Sequence, residues 1–111
     1  MVMRAIEVVP SADTESQGDN LRARIRDELG KSHLVVISFF GIETATSSFV
    51  NACFVPLLSD FSFDEIKARI RIIESTRQIN EMIKSRLVRE AGSYQTRTSN
   101  GDTSTPFSHF L

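Results

Sequence analysis

The sequence has one cysteine, no long apolar run and almost no net charge. A single cysteine, Cys53, cannot form an internal disulfide, which is consistent with a reducing compartment. The two histidines, His33 and His109, lie far apart without a second ligand at zinc spacing, so we predict no metal and no cofactor. The apolar stretches fall well short of the roughly 20 residues that span a bilayer, and the N-terminus lacks a signal-peptide pattern. We therefore predict a cytoplasmic protein that does not bind membranes.

The balance of charges and the missing catalytic patterns exclude further classes. Thirteen basic against fourteen acidic residues leave a formal charge of -1, which provides no field for holding nucleic acid. The sequence shows no nucleophile–base pair, metal cluster or glycine-rich phosphate loop, so we predict that it is not an enzyme. What remains is a globular composition, 41% hydrophobic and 24% charged, in 111 residues that suffice for one hydrophobic core.

The first third of the chain is predicted to hold a strand and a helix. Residues 4–9 are rich in apolar and β-branched side chains and predict a short strand. Residues 11–18 are predicted to form a polar loop. Apolar residues then recur every four positions over 21–29, which predicts a helix with one buried stripe and a charged, solvated outer face. We expect Asp19 or Asn20 to cap this helix and Gly30 to end it.

The middle of the chain carries the most apolar segments. Residues 34–40 are nearly all apolar and predict a central strand that is covered on both faces. A helix that is apolar around most of its circumference should begin near Phe49, with Pro56 bending or shortening it. We expect Cys53 to be a core residue in this helix. Three hydroxyl residues are candidate caps: Thr46, Ser47 and Ser48.

The last third repeats the alternation. Ser62 and Glu65 have capping-box spacing for a short helical turn that leads into a strand over 68–73, with alternating side chains typical of a sheet edge. Ser75 and Gln78 repeat the spacing before a third helix. The predicted fold is therefore a small α/β domain of β-α-β-α-β-α order, with helices packed on a mostly parallel sheet.

The C-terminal part differs in composition. We predict a folded domain over residues 1–90 and a flexible, polar tail over 91–111, because the tail has too few apolar groups to offset its ordering entropy. The tip is apolar again, and it either docks into a groove or is a frayed terminus. Its apolar residues are Phe107, Phe110 and Leu111.

The segment LVVISFFGIETATSSFVNACFVPLL, residues 34–58, joins the central strand to the apolar helix. It resembles the STAS domain of anti-sigma factor antagonists, in which an apolar strand is followed by Gly-Val and then by Asp-Ser-Ser-Gly opening a helix. The order here is Gly41-Ile42 and then Thr46-Ser47-Ser48-Phe49. It is more similar to the STAS-like family of unknown function, in which Phe-x-Asp or Phe-x-Asn follows the serines, as Phe49-Val50-Asn51 does here. The resemblance covers about residues 18–89.

The resemblance implies a regulatory protein-interaction module of bacterial-type signalling. Its implied partner is a protein of the histidine-kinase-like ATPase type, which binds the module and phosphorylates a serine. By position, Ser48 matches the phosphorylated serine of the antagonists, and Ser47 is the second candidate. The implied partner-binding residues are Thr46, Ser47, Ser48, Phe49 and Asn51. Glu43 is a further candidate because of its position next to the turn, where its carboxylate could pair with a partner lysine or a substrate group, although an exposed loop carboxylate most often has no measurable role. Thr46 replaces the antagonists' aspartate and Phe49 replaces their glycine, which leaves phosphorylation open.

Elementary chemistry supports a switch at this junction but also permits simpler interpretations. The first amides of a helix are unpaired and carry the positive end of its dipole, so a phosphate of about -1.5 to -2 charge would be tolerated there. Alternatively, the hydroxyls only cap the helix, and Asn51 only holds the loop by a hydrogen bond. The module would then be an unmodified structural adaptor, or it would bind a small anionic ligand. The sequence leaves the oligomeric state open and is compatible with a homo-oligomer.

Overall fold

The computed structural model describes residues 2–94 in their backbone, with side chains as far as Ala91. Within that range the elements are β1 (Val2–Arg4), α1 (Glu15–Lys31), β2 (Val35–Ser38), α2 (Ser47–Cys53), α3 (Phe63–Arg69), β3 (Ile70–Ile73) and α4 (Arg77–Tyr94). Two 3₁₀ segments, Ala5–Glu7 and Val55–Ser59, complete them. The predicted α/β class and alternating order are confirmed, with α3 as an additional short helix.

The three strands form one parallel sheet in the order β1-β2-β3. Val36 is aligned with Val2 of β1 and with Arg71 of β3, so β2 is the central strand as predicted. The prediction that it is covered on both faces is wrong, because Val36 is only half-buried and Leu34 before it is exposed. Both crossovers step in the same direction, and right-handed connections then place the helices on one face. On that face the strands bury Met3, Ile37 and Ile72 in a single core.

The first strand is shorter than predicted. It ends at Arg4, and the chain turns into the 3₁₀ segment instead of extending to residue 9. The carbonyl of Ala5 accepts hydrogen bonds from the amides of Val8 and Val9, both at 2.9 Å, and these local bonds replace the sheet ladder. Val9 is nevertheless buried, which explains why the apolar pattern continues past the strand.

The predicted bounds of α1 are also wrong. Thr14, rather than Asp19 or Asn20, caps the helix in a capping box with Gln17, since the Gln17 amide donates to Thr14 Oγ1 at 3.1 Å and the Thr14 amide to Gln17 Oε1 at 3.0 Å. Gly30 lies inside the helix, which continues to Lys31. Arg69 then donates hydrogen bonds to the carbonyls of Leu29, Ser32 and His33 at 2.9–3.1 Å, so a distant side chain closes this end.

The effect predicted for Pro56 is confirmed. The apolar helix ends at Cys53, and Pro56 lies in the first turn of the following 3₁₀ segment, where its missing amide hydrogen costs nothing. The capping box of Ser62 with Glu65 is confirmed as well. The following helix extends to Arg69, so β3 begins at Ile70 and not at residue 68.

At the start of α4 the predicted Ser75–Gln78 box is wrong. Thr76 provides the cap, with its hydroxyl accepting from the Ile79 amide at 3.3 Å. The helix runs through residues 91–94, which the sequence assigned to the tail, and buried Ala91 belongs to the core. The rest of the predicted tail and its apolar tip lie outside the described residues. Within residues 2–94, no helix has the length and apolar character needed to cross a membrane.

Candidate functional site

The predicted site is the turn that leads from β2 into α2, at the carboxyl end of the sheet. The Ile42 amide closes the turn by donating to the Phe39 carbonyl at 2.9 Å. Gly41 has φ of 93°, and a Cβ there would lie 2.8 Å from Ile6 Cδ1. A side chain at this position would be strained by the left-handed backbone, whereas the exposed end of the Ile6 side chain can move aside. Glycine is therefore favoured here by the backbone conformation of the turn.

Thr46 holds the start of α2 because its hydroxyl both donates and accepts a hydrogen bond. Its Oγ1 accepts from the Phe49 amide at 3.1 Å as the N-cap, and it donates to the Asp13 carbonyl at 2.7 Å. The Thr46 amide donates to the Ala12 carbonyl at 3.0 Å. Threonine thus supplies the acceptor that a capping aspartate would supply, and it adds a donor that a carboxylate lacks.

The other side of the turn is held by the start of α4. Gln78 Nε2 donates to the Ala45 carbonyl at 2.9 Å, and its Oε1 accepts from the Ala45 amide at 2.8 Å. The Thr76 hydroxyl donates to the Glu43 carbonyl at 2.8 Å. Gln78 therefore serves this junction rather than its own helix terminus, and the turn is fixed from two sides before any partner binds.

The two serines differ in accessibility. Ser47 is half-buried, whereas Ser48, the second residue of α2, is exposed. Within the described part of the chain, the Ser48 hydroxyl has no hydrogen-bond partner. Asn51 follows one turn later and is exposed too, and its predicted hydrogen bond to the loop is absent from residues 2–94. Ser48 and Asn51 therefore present unengaged polar groups on one side of α2.

Ser48 lies in a groove between α1 and α2, of about 390 Å³. Two carboxylates and one guanidinium of α1 contribute to it, together with residues of α2 and Pro56. Arg22 donates to Asp19 Oδ1 at 3.0 Å and also to the Ala52 carbonyl, so it ties the two helices together. The lining residues are Glu15, Asp19, Arg22, Ser48, Asn51, Ala52 and Pro56.

The close packing of the two helices at this groove depends on Gly18. A Cβ there would lie 2.5 Å from the Phe49 carbonyl oxygen and 2.8 Å from Ala52 Cβ. Both distances are shorter than an ordinary van der Waals contact. The two helices can pack this closely only because residue 18 has no side chain. The sequence prediction treated Gly18 as part of a loop and the charges of α1 as a solvated face. It therefore missed the contribution of Glu15, Asp19 and Arg22 to the site.

Of the six predicted partner-binding residues, Ser48 and Asn51 line the groove, whereas Glu43, Thr46, Ser47 and Phe49 do not. Phe49 is fully buried, so the prediction is wrong for its side chain, which fills the core beneath the site. Glu43 is exposed but lies with Asp13 and Thr44 in a separate depression of about 170 Å³. The structure therefore brings Ser48 and Asn51 together and leaves Glu43 apart from them.

Cys53 is a core residue, as predicted. It is fully buried beneath the groove, and burial raises the pKa of its thiol well above the ordinary value, an effect that the nearby Arg22 charge opposes only in part. A neutral thiol is a poor nucleophile and a poor metal ligand. No cluster of three or more potential metal ligands is found among residues 2–94.

One serine–carboxylate pair was not foreseen. The Ser38 hydroxyl donates to Glu74 Oε1 at 2.6 Å and accepts from the Phe40 amide at 3.1 Å. Ser38 is only 1% exposed, so a substrate cannot reach its hydroxyl. Glu74 has φ of 53°, a left-handed conformation, and the hydrogen bond helps to hold it there. The pair fastens the ends of β2 and β3 together.

The region that contains this site identifies the family. Residues 17–80 match the family model described as a STAS-like domain of unknown function. The chain belongs to this STAS-like family, and the matched residues include most of α1, the turn after β2, all of α2 and the Gln78 clamp. No curated protein and no solved structure matches the chain significantly.

Proposed function

We propose that this STAS-like domain is a regulatory protein-interaction module that docks on a partner through the groove side of α2. In this proposal the partner is a histidine-kinase-like ATPase of bacterial-type cytoplasmic signalling, and phosphorylation of Ser48 releases it. The domain itself carries out no reaction. The observation that supports the proposal most directly is the exposed Ser48 hydroxyl at the second position of α2, with no partner of its own in residues 2–94.

The neighbouring hydroxyls fit a switch less well. Thr46 uses its oxygen as the N-cap and its hydrogen for the Asp13 carbonyl, so its modification would dismantle the start of α2. Ser47 is half-buried and therefore less accessible to a kinase than Ser48. Phosphorylation of Ser48 would leave both the cap and the core intact, because its side chain contributes to neither.

The carboxylates of the groove explain how a phosphate on Ser48 would weaken partner binding. Glu15 and Asp19 already line the groove beside Ser48, and Arg22 is engaged with Asp19 and with the Ala52 carbonyl. An added charge of about -1.5 to -2 makes the surface strongly acidic, which repels an acidic or apolar partner and weakens binding. The same carboxylates disfavour the alternative of a small anionic ligand bound at this helix terminus.

The proposal is tested by phosphorylation in vitro. The protein is incubated with ATP and a candidate ATPase, and its intact mass is measured. We expect one added phosphate on the wild type and on Ser47→Ala, and none on Ser48→Ala. Ser47→Ala is the matched control, because it removes the adjacent hydroxyl from the same helix turn. A phosphate on Ser48→Ala would assign the modification to another residue.

The release step is tested by affinity. Ser48→Asp should weaken binding to the ATPase at least tenfold, whereas Ser48→Ala should bind as the wild type does, because only the aspartate adds charge to the groove. The measurement is a titration by calorimetry with each variant. Equal affinities for the two variants would remove the switch and leave an unmodified adaptor.

A further inference from the structure

The sheet has a second face that the described helices do not cover. Alternate residues of a strand share a face, so Leu34, Val36 and Ser38 lie opposite to buried Val35 and Ile37. Ser38 is buried and hydrogen-bonded to Glu74 and the Phe40 amide, and Phe40 follows in the turn after β2. Phe40 is 66% and Leu34 42% exposed. Four of the five most exposed large apolar side chains in residues 2–91 lie on this face or at its edge: Val2, Ile6, Leu34 and Phe40.

Such exposure is unusual for a parallel sheet. Parallel sheets are nearly always covered by helices on both faces, because their crossovers supply helices to both. Here both crossovers step the same way, and the helices pack against each other on the side of Met3, Ile37 and Ile72. We call the other side the open face; its strand residues are Val2, Arg4, Val36, Ser38, Arg71 and Ile73. Leu34 precedes the central strand and Phe40 follows it in the turn, and both are exposed. The open face corresponds to one missing layer of a three-layer α/β sandwich.

The charges on the open face restrict what can cover it. Arg4 and Arg71 lie on opposite outer strands and are exposed, and neither forms an ion pair within residues 2–91. Glu74 is the carboxylate at the edge of this face, and it accepts the Ser38 hydroxyl. Six of the other ten basic residues in residues 2–91 have acidic partners: Arg22, Arg24, Arg26, Lys31, Lys67 and Arg77. A partner surface complementary to this face would therefore have apolar side chains along its centre and carboxylates on both flanks.

The dimensions favour a single helix as the occupant. Neighbouring strands are about 4.8 Å apart, so the outer strands of this sheet are separated by about 10 Å, close to the diameter of one α-helix. Strands of three and four residues present far less area than the roughly 800 Å² per partner of a stable dimer. Two copies placed face to face would also bring their unpaired arginines together, which disfavours a second copy.

We propose that the open face is a docking site for an amphipathic helix of a partner protein, with an apolar stripe over Leu34, Val36 and Phe40 and acidic residues along its two flanks. The flanking carboxylates pair with Arg4 and Arg71. This site lies across the sheet from the groove of Ser48, so a partner can occupy each independently. Docking on the open face does not require phosphorylation of Ser48.

The test uses the full chain and two synthetic helical peptides. Both carry the same leucine stripe, one flanked by glutamates and the other by lysines, and binding is followed by fluorescence anisotropy and by amide chemical shifts. The glutamate peptide should bind at least tenfold more tightly than the lysine peptide and should shift the amides of β2. Absence of binding, or equal binding of both peptides, would overturn the proposal.

Variants locate the binding. Phe40→Ser should weaken binding of the glutamate peptide at least tenfold, whereas Val88→Ser is the matched control, since Val88 is an exposed apolar residue of α4 away from this face. Arg4→Glu with Arg71→Glu should reverse the preference toward the lysine peptide. A preference unchanged by this reversal would contradict the charge argument.

Two other occupants give distinct results. A wild-type dimer in sedimentation that Phe40→Ser dissociates would assign the face to a second copy. Tighter peptide binding after removal of residues 95–111 would show that this segment of the chain already covers the face. Either result would overturn the proposal of a partner helix, and neither would bear on the phosphorylation of Ser48.

Discussion

At the scale of single residues, Thr46 carries more of the site than its exposure suggests. Its hydroxyl caps α2 and also donates to the Asp13 carbonyl. Thr46→Val keeps the shape but removes both bonds, and it should lower the free energy of unfolding by about 1–2 kcal/mol, the usual cost of a lost N-cap. Thr46→Ser retains the hydroxyl and should cost much less. Urea unfolding of both variants checks this, and equal losses would show that the hydroxyl is not the cause.

The chemistry of Cys53 is set by burial, which raises the pKa of its thiol. The native thiol should therefore resist alkylating reagents at pH 8 and react only through unfolding. A native reaction rate close to that of the unfolded chain would contradict complete burial. The measurement is the rate of thiol modification with and without urea.

The same pKa shift makes stability depend on pH. Below about pH 8.5, the ordinary pKa of cysteine, the thiol is neutral in both states and its contribution is fully present. Above that pH the unfolded thiol ionises while the folded thiol stays neutral, so stability falls as pH rises. Cys53→Ala should flatten this decline, although it also leaves a small cavity. Unfolding free energies measured between pH 7 and 10 test the slope.

The sequence predicted the group of hydroxyls at residues 46–48 but not which one is the cap. That choice depends on the Ala12 and Asp13 carbonyls, which the fold brings next to Thr46 from more than thirty positions away. Thr46 bonds to those carbonyls, whereas the Ser48 hydroxyl has no hydrogen-bond partner within residues 2–91. A linear pattern cannot contain that information, because three hydroxyl residues in a row are equivalent as local caps.

At the scale of elements, α1 packs closely against α2 at Gly18, where a Cβ would lie 2.5 Å from the Phe49 carbonyl oxygen. Gly18→Ala adds a methyl group against the Phe49 carbonyl, and overpacking of this kind costs about 1–3 kcal/mol. The gain in helix propensity, about 0.5–1 kcal/mol, offsets only part of it. We expect a net loss of about 1–2 kcal/mol in urea unfolding and a disturbed groove at Ser48.

Gly30 provides the matched control in the same helix. A Cβ there would have no atom within 4 Å. Gly30→Ala should therefore leave stability unchanged or raise it by up to about 1 kcal/mol. Equal losses for the two variants would mean that backbone effects, and not the helix contact, explain the result for Gly18.

The order of the elements followed from sequence periodicity, whereas their ends did not. Local signals were sufficient where side chain and backbone partners are near neighbours, as in the capping box of Ser62 with Glu65. They failed where the partner is distant. Arg69 of α3 donates a hydrogen bond to the Leu29 carbonyl at the end of α1. The side chain of Gln78 bonds to Ala45 and not to the backbone of its own helix. Gly18 was predicted to lie in a loop because glycine is common in loops. Its actual role, close packing of α1 against α2, depends on a contact with a distant segment.

At the scale of the whole molecule, a single core extends from Met3 to Ala91. A chain that ends after residue 94 should therefore keep the fold, with a free energy of unfolding within about 0.5 kcal/mol of the full chain, as for changes outside the core. Circular dichroism and urea unfolding of the two chains make the comparison. A chain that ends after residue 86 is the control and should unfold, because it lacks Leu87 and Ala91. If the chain that ends after residue 94 lost cooperative unfolding, the folded domain would have to include residues beyond 94.

The strands pair in chain order, each with the one that precedes it. No strand therefore has to insert between two strands that were synthesised before it. As synthesis proceeds, β2 can join β1 once α1 has left the ribosome, and β3 can join after a crossover of similar length, Val36 being aligned with Val2 and with Arg71. Nascent-chain lengths at which protease resistance appears should accordingly rise in two steps, one for each strand added.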